Sequence, residues 1–203
     1  MRGHTTTVVL AAALAASLVT LAIAWRSPGN NQGHEPAQPV AFSHRLHAGE
    51  LQVSCVYCHT AAATSRYAGI PALNICMNCH KSVTTSFSAQ QQARPVESRE
   101  LRKLYDALAL DGALNPVAGR LPRPIAWQRV HSLPDFVYFD HRAHITAAVP
   151  CEHCHGPVKS MVRVRQVETL SMGWCVNCHR DATANGVSGT PVHASIDCVT
   201  CHY

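Results

Sequence analysis

Hydrophobic and polar positions divide this chain unevenly. From Thr5 to Trp25 run 21 consecutive uncharged residues dominated by Ala, Leu, Val and Ile, enough to span a bilayer core as one helix. Arg2 precedes the run, and Trp25 and Arg26 close it at the position of an interfacial anchor. A cleavable signal peptide is the alternative, because Ala22-Ile23-Ala24 resembles a cleavage site. The uncharged run exceeds the usual apolar region of such a signal, so a retained transmembrane anchor over residues 1–26 is expected. Residues 27–40 are polar with interspersed Gly and Pro and read as a flexible tether.

Helical periodicity recurs in one later segment. Within Glu97 to Asp111, Leu101, Leu104, Tyr105 and Leu108 fall at i, i+3, i+4 and i+7, which predicts an amphipathic helix. Pro95 stands before it and Gly112 after it, as start and stop signals. Leu121–Pro124 and Leu133-Pro134 read as extended connectors, and Gln90-Gln91-Gln92 as a solvated loop.

The cysteines change the picture. All ten lie in five copies of one pattern: Cys55-x-x-Cys58-His59, Cys76-x-x-Cys79-His80, Cys151-x-x-Cys154-His155, Cys175-x-x-Cys178-His179 and Cys198-x-x-Cys201-His202. C-x-x-C-H is the attachment signature of a c-type haem. Its two thiols add across the porphyrin vinyl groups, and the next residue falls under the iron as its proximal ligand. Zinc knuckles are the bland alternative, but five knuckles do not pair evenly, and zinc does not require His after the second Cys every time. No cysteine is left for a disulfide, a lipid anchor or an iron–sulfur cluster.

Five c-type haems on 203 residues leave roughly 36 residues each after the anchor, too few for an ordinary side-chain core around every one. The expected fold class is a mostly α and irregular multihaem cytochrome c. Short helices and loops wrap five haems, with one N-terminal transmembrane helix and little or no sheet. The amphipathic stripe is then expected to meet a haem edge or a partner subunit. The apoprotein charge of +5 does not point to nucleic acid, because no Lys/Arg run or basic-aromatic interleaving accompanies it. Each ferric haem with two ionised propionates adds about −1, so the holoprotein lies near neutrality and the basic residues serve the propionates.

Self-comparison reveals a repeat. Phe42-x-His44-x-x-His47 stands 7 residues before Cys55, and Phe139-x-His141-x-x-His144 stands 6 before Cys151. A second haem motif follows each, and the second copy adds a third at Cys198–His202. The expected organisation is a two-haem module at 41–95, a connecting segment with the amphipathic helix at 96–130, and a three-haem module at 131–203.

Of the 14 histidines, five are proximal: His59, His80, His155, His179 and His202. His4 and His34 lie in the anchor and tether, and His153 sits inside a C-x-x-C loop, so these are poor ligands. The distal candidates are His44, His47, His131, His141, His144 and Met172, with His193 and Met161 behind them. Histidines at i and i+3 face the same way on a helix, so each pair suits two irons on adjacent haems rather than one. A thioether ligand such as Met172 would raise the potential of its haem. No catalytic residues are expected: irons with both axial places filled transfer electrons and bind no substrate.

The stretch Arg129-Val130-His131-Ser132-Leu133-Pro134-Asp135-Phe136-Val137-Tyr138-Phe139-Asp140-His141-x-x-His144, with Cys151-x-x-Cys154-His155-Gly156 and Leu170-Ser171-Met172-Gly173-Trp174-Cys175, resembles the pentahaem ActA-like subunit of bacterial alternative complex III. The paired histidine motifs also resemble the class III (c3/c7-like) multihaem cytochromes. The first resemblance implies a non-catalytic subunit of a quinol:electron-acceptor oxidoreductase, on the periplasmic side of the bacterial cytoplasmic membrane. Its implied partners are an NrfD-like quinol-oxidising membrane subunit, an iron–sulfur, molybdopterin-enzyme-like subunit, a monohaem cytochrome c and a terminal oxidase. It also implies one His/Met haem, with Met172 the position favoured. Alternatives are a NapC/NrfH-type quinol dehydrogenase, whose first-haem C-x-x-C-H-x-M is not matched because Ala61 stands there, and a catalytic multihaem reductase.

Overall fold

The computed structural model describes residues 2–24, 31–85 and 98–203, with side chains of the first helix described from Leu10 to Leu21. The fold follows from how little apolar surface the chain can bury. Among the described residues, the buried hydrophobic side chains are Ala62, Leu104, Tyr105, Ala107, Ala109, Met161 and Ala182. Four of these seven belong to or directly follow one short helix; around the haem motifs almost none is available.

Helix α1, Arg2–Ala24, covers the apolar run. Its described leucines face solvent, with Leu10 66 %, Leu14 64 % and Leu18 60 % exposed. The hydroxyls of Ser17 and Thr20 bond back to the Ala13 and Ala16 carbonyls at 2.9 and 3.0 Å. Among the described residues, no helix is long and apolar enough to cross a membrane. Trp25, Arg26 and the Gln90–Gln92 run lie outside the described residues.

The segment read as a flexible tether is, from Asn31 onward, hydrogen-bonded to the rest of the chain. Gly33 N donates to Gln166 O (2.8 Å), and Gln166 N donates to His34 O (3.1 Å). The side-chain amide of Gln38 pairs with the backbone of Gln128 in both directions, at 3.0 and 2.9 Å. Side-chain amides that satisfy backbone groups explain why a polar segment lies along the surface here.

The remaining helices are short: α2 Cys55–Cys58, α3 Leu73–His80, α4 Arg99–Ala107, α5 His141–Thr146, α6 Cys151–His155, α7 Met172–Asn185 and α8 Cys198–Cys201. A π-helical turn at Arg45–Glu50 and 3-10 turns at Thr60–Ala63 and Val158–Ser160 complete them. Extended pairing among the described residues consists of isolated bridges, Val137 with His202 among them.

The predicted amphipathic helix is α4. It ends earlier than Asp111, where Ala109 takes a positive φ of 57°, a conformation that does not continue a helix. In its stripe Leu104 and Tyr105 are buried while Leu101 and Leu108 are half-buried, and the fully buried Tyr105 donates its hydroxyl to His80 O at 2.8 Å. The helix thereby braces the second haem motif.

Two contacts join the halves. The turn Arg45–Glu50 packs on Val158–Ser160, with Arg45 N donating to Met161 O at 2.8 Å. A Cβ on Gly49 would run into the Lys159 carbonyl, so only glycine permits that approach. Helix α5 packs on Thr60–Ala63. The C-terminal motif closes on the connector through Tyr138 N to Cys201 O (2.8 Å) and Tyr203 Oη to Asp135 O (2.6 Å).

Candidate haem-binding site

The two F-x-H-x-x-H units take the same side-chain geometry on different backbones. The first begins at His44 and runs into the π-helical turn, and the second forms α5. In the first, the Phe42 ring meets His44 edge-on at 4.9 Å and stacks on His47 at 4.3 Å. In the second, Phe139 meets His141 edge-on at 4.8 Å and His144 at 4.6 Å. The phenylalanine thus wedges between two imidazoles and fixes both. The residue after it caps the turn: Ser43 Oγ accepts from Leu46 N (3.2 Å), and Asp140 Oδ1 accepts from Arg142 N (2.9 Å). The sequence displays these positions as part of the repeat, but spacing alone does not assign them these tasks.

A metal-binding imidazole needs its second ring nitrogen satisfied, which fixes the tautomer and the ring plane. Six histidines meet this with backbone carbonyls at their Nδ1: His47 with Ser43, His59 with Gly69, His80 with Val83, His141 with Arg66, His144 with Asp140 and His179 with Ser195, all at 2.6–2.9 Å. Their Nε2 lone pairs are left for a ligand. The Nδ1 atoms of His44 and His202 are buried without a protein partner.

The rings also pair. His47 and His80 have centroids 6.2 Å apart, His141 and His155 6.4 Å, and His144 and His179 6.0 Å. An iron between two imidazole nitrogens at metal–nitrogen distances of about 2 Å places the ring centroids roughly 6 Å apart. The His141 and His155 rings are parallel to within 7°. Each pair joins one histidine of a repeat unit to the histidine of a C-x-x-C-H motif that follows that unit, and the two cysteines of the motif precede that histidine. The residues therefore fit c-type haem.

Other sequence candidates stand differently. His131 meets His155 edge-on with centroids 4.4 Å apart, closer than two imidazoles on one iron allow. Met172 opens α7 and is 66 % exposed, while Met161 is buried. His193 is exposed. His153 lies 5.8 Å from the Trp174 ring, with its Nε2 3.6 Å from the Cys178 sulfur.

Burial favours the neutral form, the one that binds a metal, at His44, His47, His131, His144 and His155. His44 is pushed down to about 4 by burial first, then by His59 and His47. His155 is pushed down to about 4 by burial, then by His131, His141, His59 and His44. His47, His131 and His144 are lowered as well, with burial the first cause in each. The clustering of His44, His59, His141 and His155 brings the first and third motifs together.

The ten thiols are free, and their neighbours trace an order. Burial first, then Cys79, raises the Cys58 thiol; burial and then Cys58 raises Cys76. Burial first, then Cys55, raises the Cys151 thiol. Cys154 is pushed up to about 11 by burial, then by Cys178 and Cys175. Cys175 is raised by burial, then by Cys201. The motifs therefore adjoin as second, first, third, fourth and fifth. Among the described residues, no three His, Cys, Asp or Glu side chains converge as a metal-ion cage.

Three family descriptions match along the chain: the class III cytochrome C family over residues 21–100, cytochrome c554 and c-prime over 75–156, and cytochrome c7 and related cytochrome c over 137–203. The chain is similar to multihaem cytochromes c. The c7-type match covers the second repeat unit and the last three motifs, and the class III match covers the first unit and the first two. The multihaem likeness extends to a curated relative, the menaquinone reductase multihaem cytochrome c subunit of Nitratidesulfovibrio vulgaris (strain Hildenborough). It is 22 % identical over 205 residues, which cover 91 % of this chain and 86 % of the relative.

Proposed function

We propose that this chain is a membrane-anchored pentahaem cytochrome c that relays electrons between a quinone-reactive membrane complex and a small c-type cytochrome. The observation that carries the reading is the set of three imidazole pairs 6.0–6.4 Å apart, each beside a C-x-x-C-H thiol pair. Bound haem supplies one-electron exchange at its iron. The chain's residues hold and insulate it. His59, His80, His155, His179 and His202 are the proximal ligands. His44, His47, His141 and His144 would hold the same irons as His59, His80, His155 and His179, in that order. Met172 remains for His202: it lies one turn before Cys175, whose thiol neighbours Cys201. Irons held by two of these side chains each would leave no place for substrate, so the role would be conduction along the order second, first, third, fourth, fifth.

In this reading α1 is the anchor. Its outward leucines and its internally satisfied hydroxyls suit a lipid environment, where polar groups must bond within the helix. The haem-bearing part then lies on the periplasmic side, where c-type attachment takes place. The partners are those of a quinone oxidoreductase: an NrfD-like membrane subunit, an iron–sulfur, molybdopterin-enzyme-like subunit, and a monohaem cytochrome c leading to a terminal oxidase.

Direction is the one point on which two readings part. The resemblance to alternative complex III implies electrons leaving quinol, whereas the relative's name, menaquinone reductase, favours electrons arriving at quinone. Purification in mild detergent with its co-purifying subunits tests the whole proposal. Haem reduction by added menaquinol supports the first direction. Haem oxidation by added menaquinone after pre-reduction supports the second. A chain that purifies alone and exchanges electrons with neither overturns the proposal.

A further inference from the structure

His131 carries the pattern of an axial ligand in the sequence, yet its ring is set against the wrong side of His155 for that task. Its Nε2 lies 3.3 Å from Nδ1 of His155, with the two rings at 81°. The His141 ring, in contrast, lies parallel to that of His155 with centroids 6.4 Å apart. We propose that His131 is a positioning residue that accepts a hydrogen bond from Nδ1–H of His155 and thereby sets the potential of the third haem.

The inference rests on His155 being an iron ligand. If Nε2 of His155 binds iron, its Nδ1 must carry the proton, and Nε2 of His131 is the acceptor in reach. Of the other proximal histidines, His59, His80 and His179 turn Nδ1 to backbone carbonyls of Gly69, Val83 and Ser195, which no side-chain substitution removes. His155 instead depends on a side chain. His131 is held for the task by Arg129, whose Nε donates to the His131 carbonyl at 2.9 Å. An acceptor on Nδ1–H raises the electron density of the ligating ring, which favours ferric iron and lowers the potential.

The test is a redox titration with parallel EPR on the purified holoprotein, comparing wild type with His131→Leu and His131→Gln. The expected result is an unchanged set of low-spin ferric signals in both variants. In His131→Leu one midpoint potential moves upward; in His131→Gln, whose amide oxygen can accept, it returns most of the way. A new high-spin ferric signal in His131→Leu would make His131 an axial ligand and overturn the inference, as would five unmoved potentials. The wild type gives a check that needs no variant. In the reduced, 15N-histidine-labelled holoprotein, a nitrogen–nitrogen coupling across the hydrogen bond between the two rings is expected, and its absence counts against the proposal. A wild type lacking low-spin haem altogether would defeat the cytochrome reading instead.

Discussion

Nδ1 of His141 lies 2.9 Å from the carbonyl oxygen of Arg66, so the first histidine of the second repeat unit is oriented by backbone that lies between the first two C-x-x-C-H motifs. The Arg66 side chain reinforces the join. Its guanidinium donates to Phe139 O at 3.1 Å and Val137 O at 3.4 Å and lies 4.2 Å from the Tyr138 ring centroid.

Arg66→Ala therefore removes two hydrogen bonds and a cation–π contact, for a loss of about 2–3 kcal/mol. Denaturant unfolding of the holoprotein should show it as a lowered midpoint. Arg66→Lys recovers little, because an ammonium does not reach both carbonyls from one planar fork.

The phenylalanine wedges give a second prediction. Phe139→Ala frees both His141 and His144, so two low-spin EPR signals should change together, those of the third and fourth haems. Phe42→Ala should change the first and second. His47→Ala and His144→Ala, in contrast, should each convert a single low-spin haem to high-spin. A Phe variant that alters only one signal contradicts the shared-wedge role.

These cases mark how far the sequence could be read. The C-x-x-C-H motifs and the doubled F-x-H-x-x-H units are local covalent and helical constraints, so residue spacing displays them. Which histidine faces which is tertiary: His131 has the look of a ligand in sequence, and the structure sets it edge-on to His155. The amphipathic stripe of α4 was legible as a helix, but not the Tyr105 hydroxyl on His80 O. The polar residues near Gln38 resemble a tether because no periodicity marks them, yet their amides pair with distant backbone. The adjacency of the first and third motifs likewise arises only when segments distant in the chain pack together.

Gly156 ends α6 directly after His155, at φ 69°, and a Cβ there would come within 2.6 Å of Val167 Cγ2. Gly156→Ala combines left-handed strain with overpacking, for about 2–3 kcal/mol. Unfolding midpoints and haem content of the purified protein should both fall, while Gly119→Ala, with open space around it, should show the conformational part alone.

Glu100 fastens the segment before the first repeat unit. Its carboxylate accepts from Ala41 N (2.7 Å) and from Lys103 Nζ (2.8 Å), and Lys103 also donates to Pro39 O (3.0 Å). The Lys103 hydrogen bond first, then the Ala41 amide, holds the Glu100 carboxyl below its ordinary value. A depressed carboxylate adds stability above the ordinary carboxylate pKa, and that stability is lost as pH falls through the lowered folded value. Amide exchange at Ala41 should accelerate over that acid window relative to neighbouring amides. Glu100→Gln should remove this pH dependence and cost about 1 kcal/mol at neutral pH.

The central claim is that porphyrin iron occupies all five thiol pairs. The pyridine haemochrome assay, normalised to protein by amino-acid analysis, tests it most directly. Five equivalents of haem per chain are predicted; three or fewer, or stoichiometric zinc in the same preparation, would contradict it.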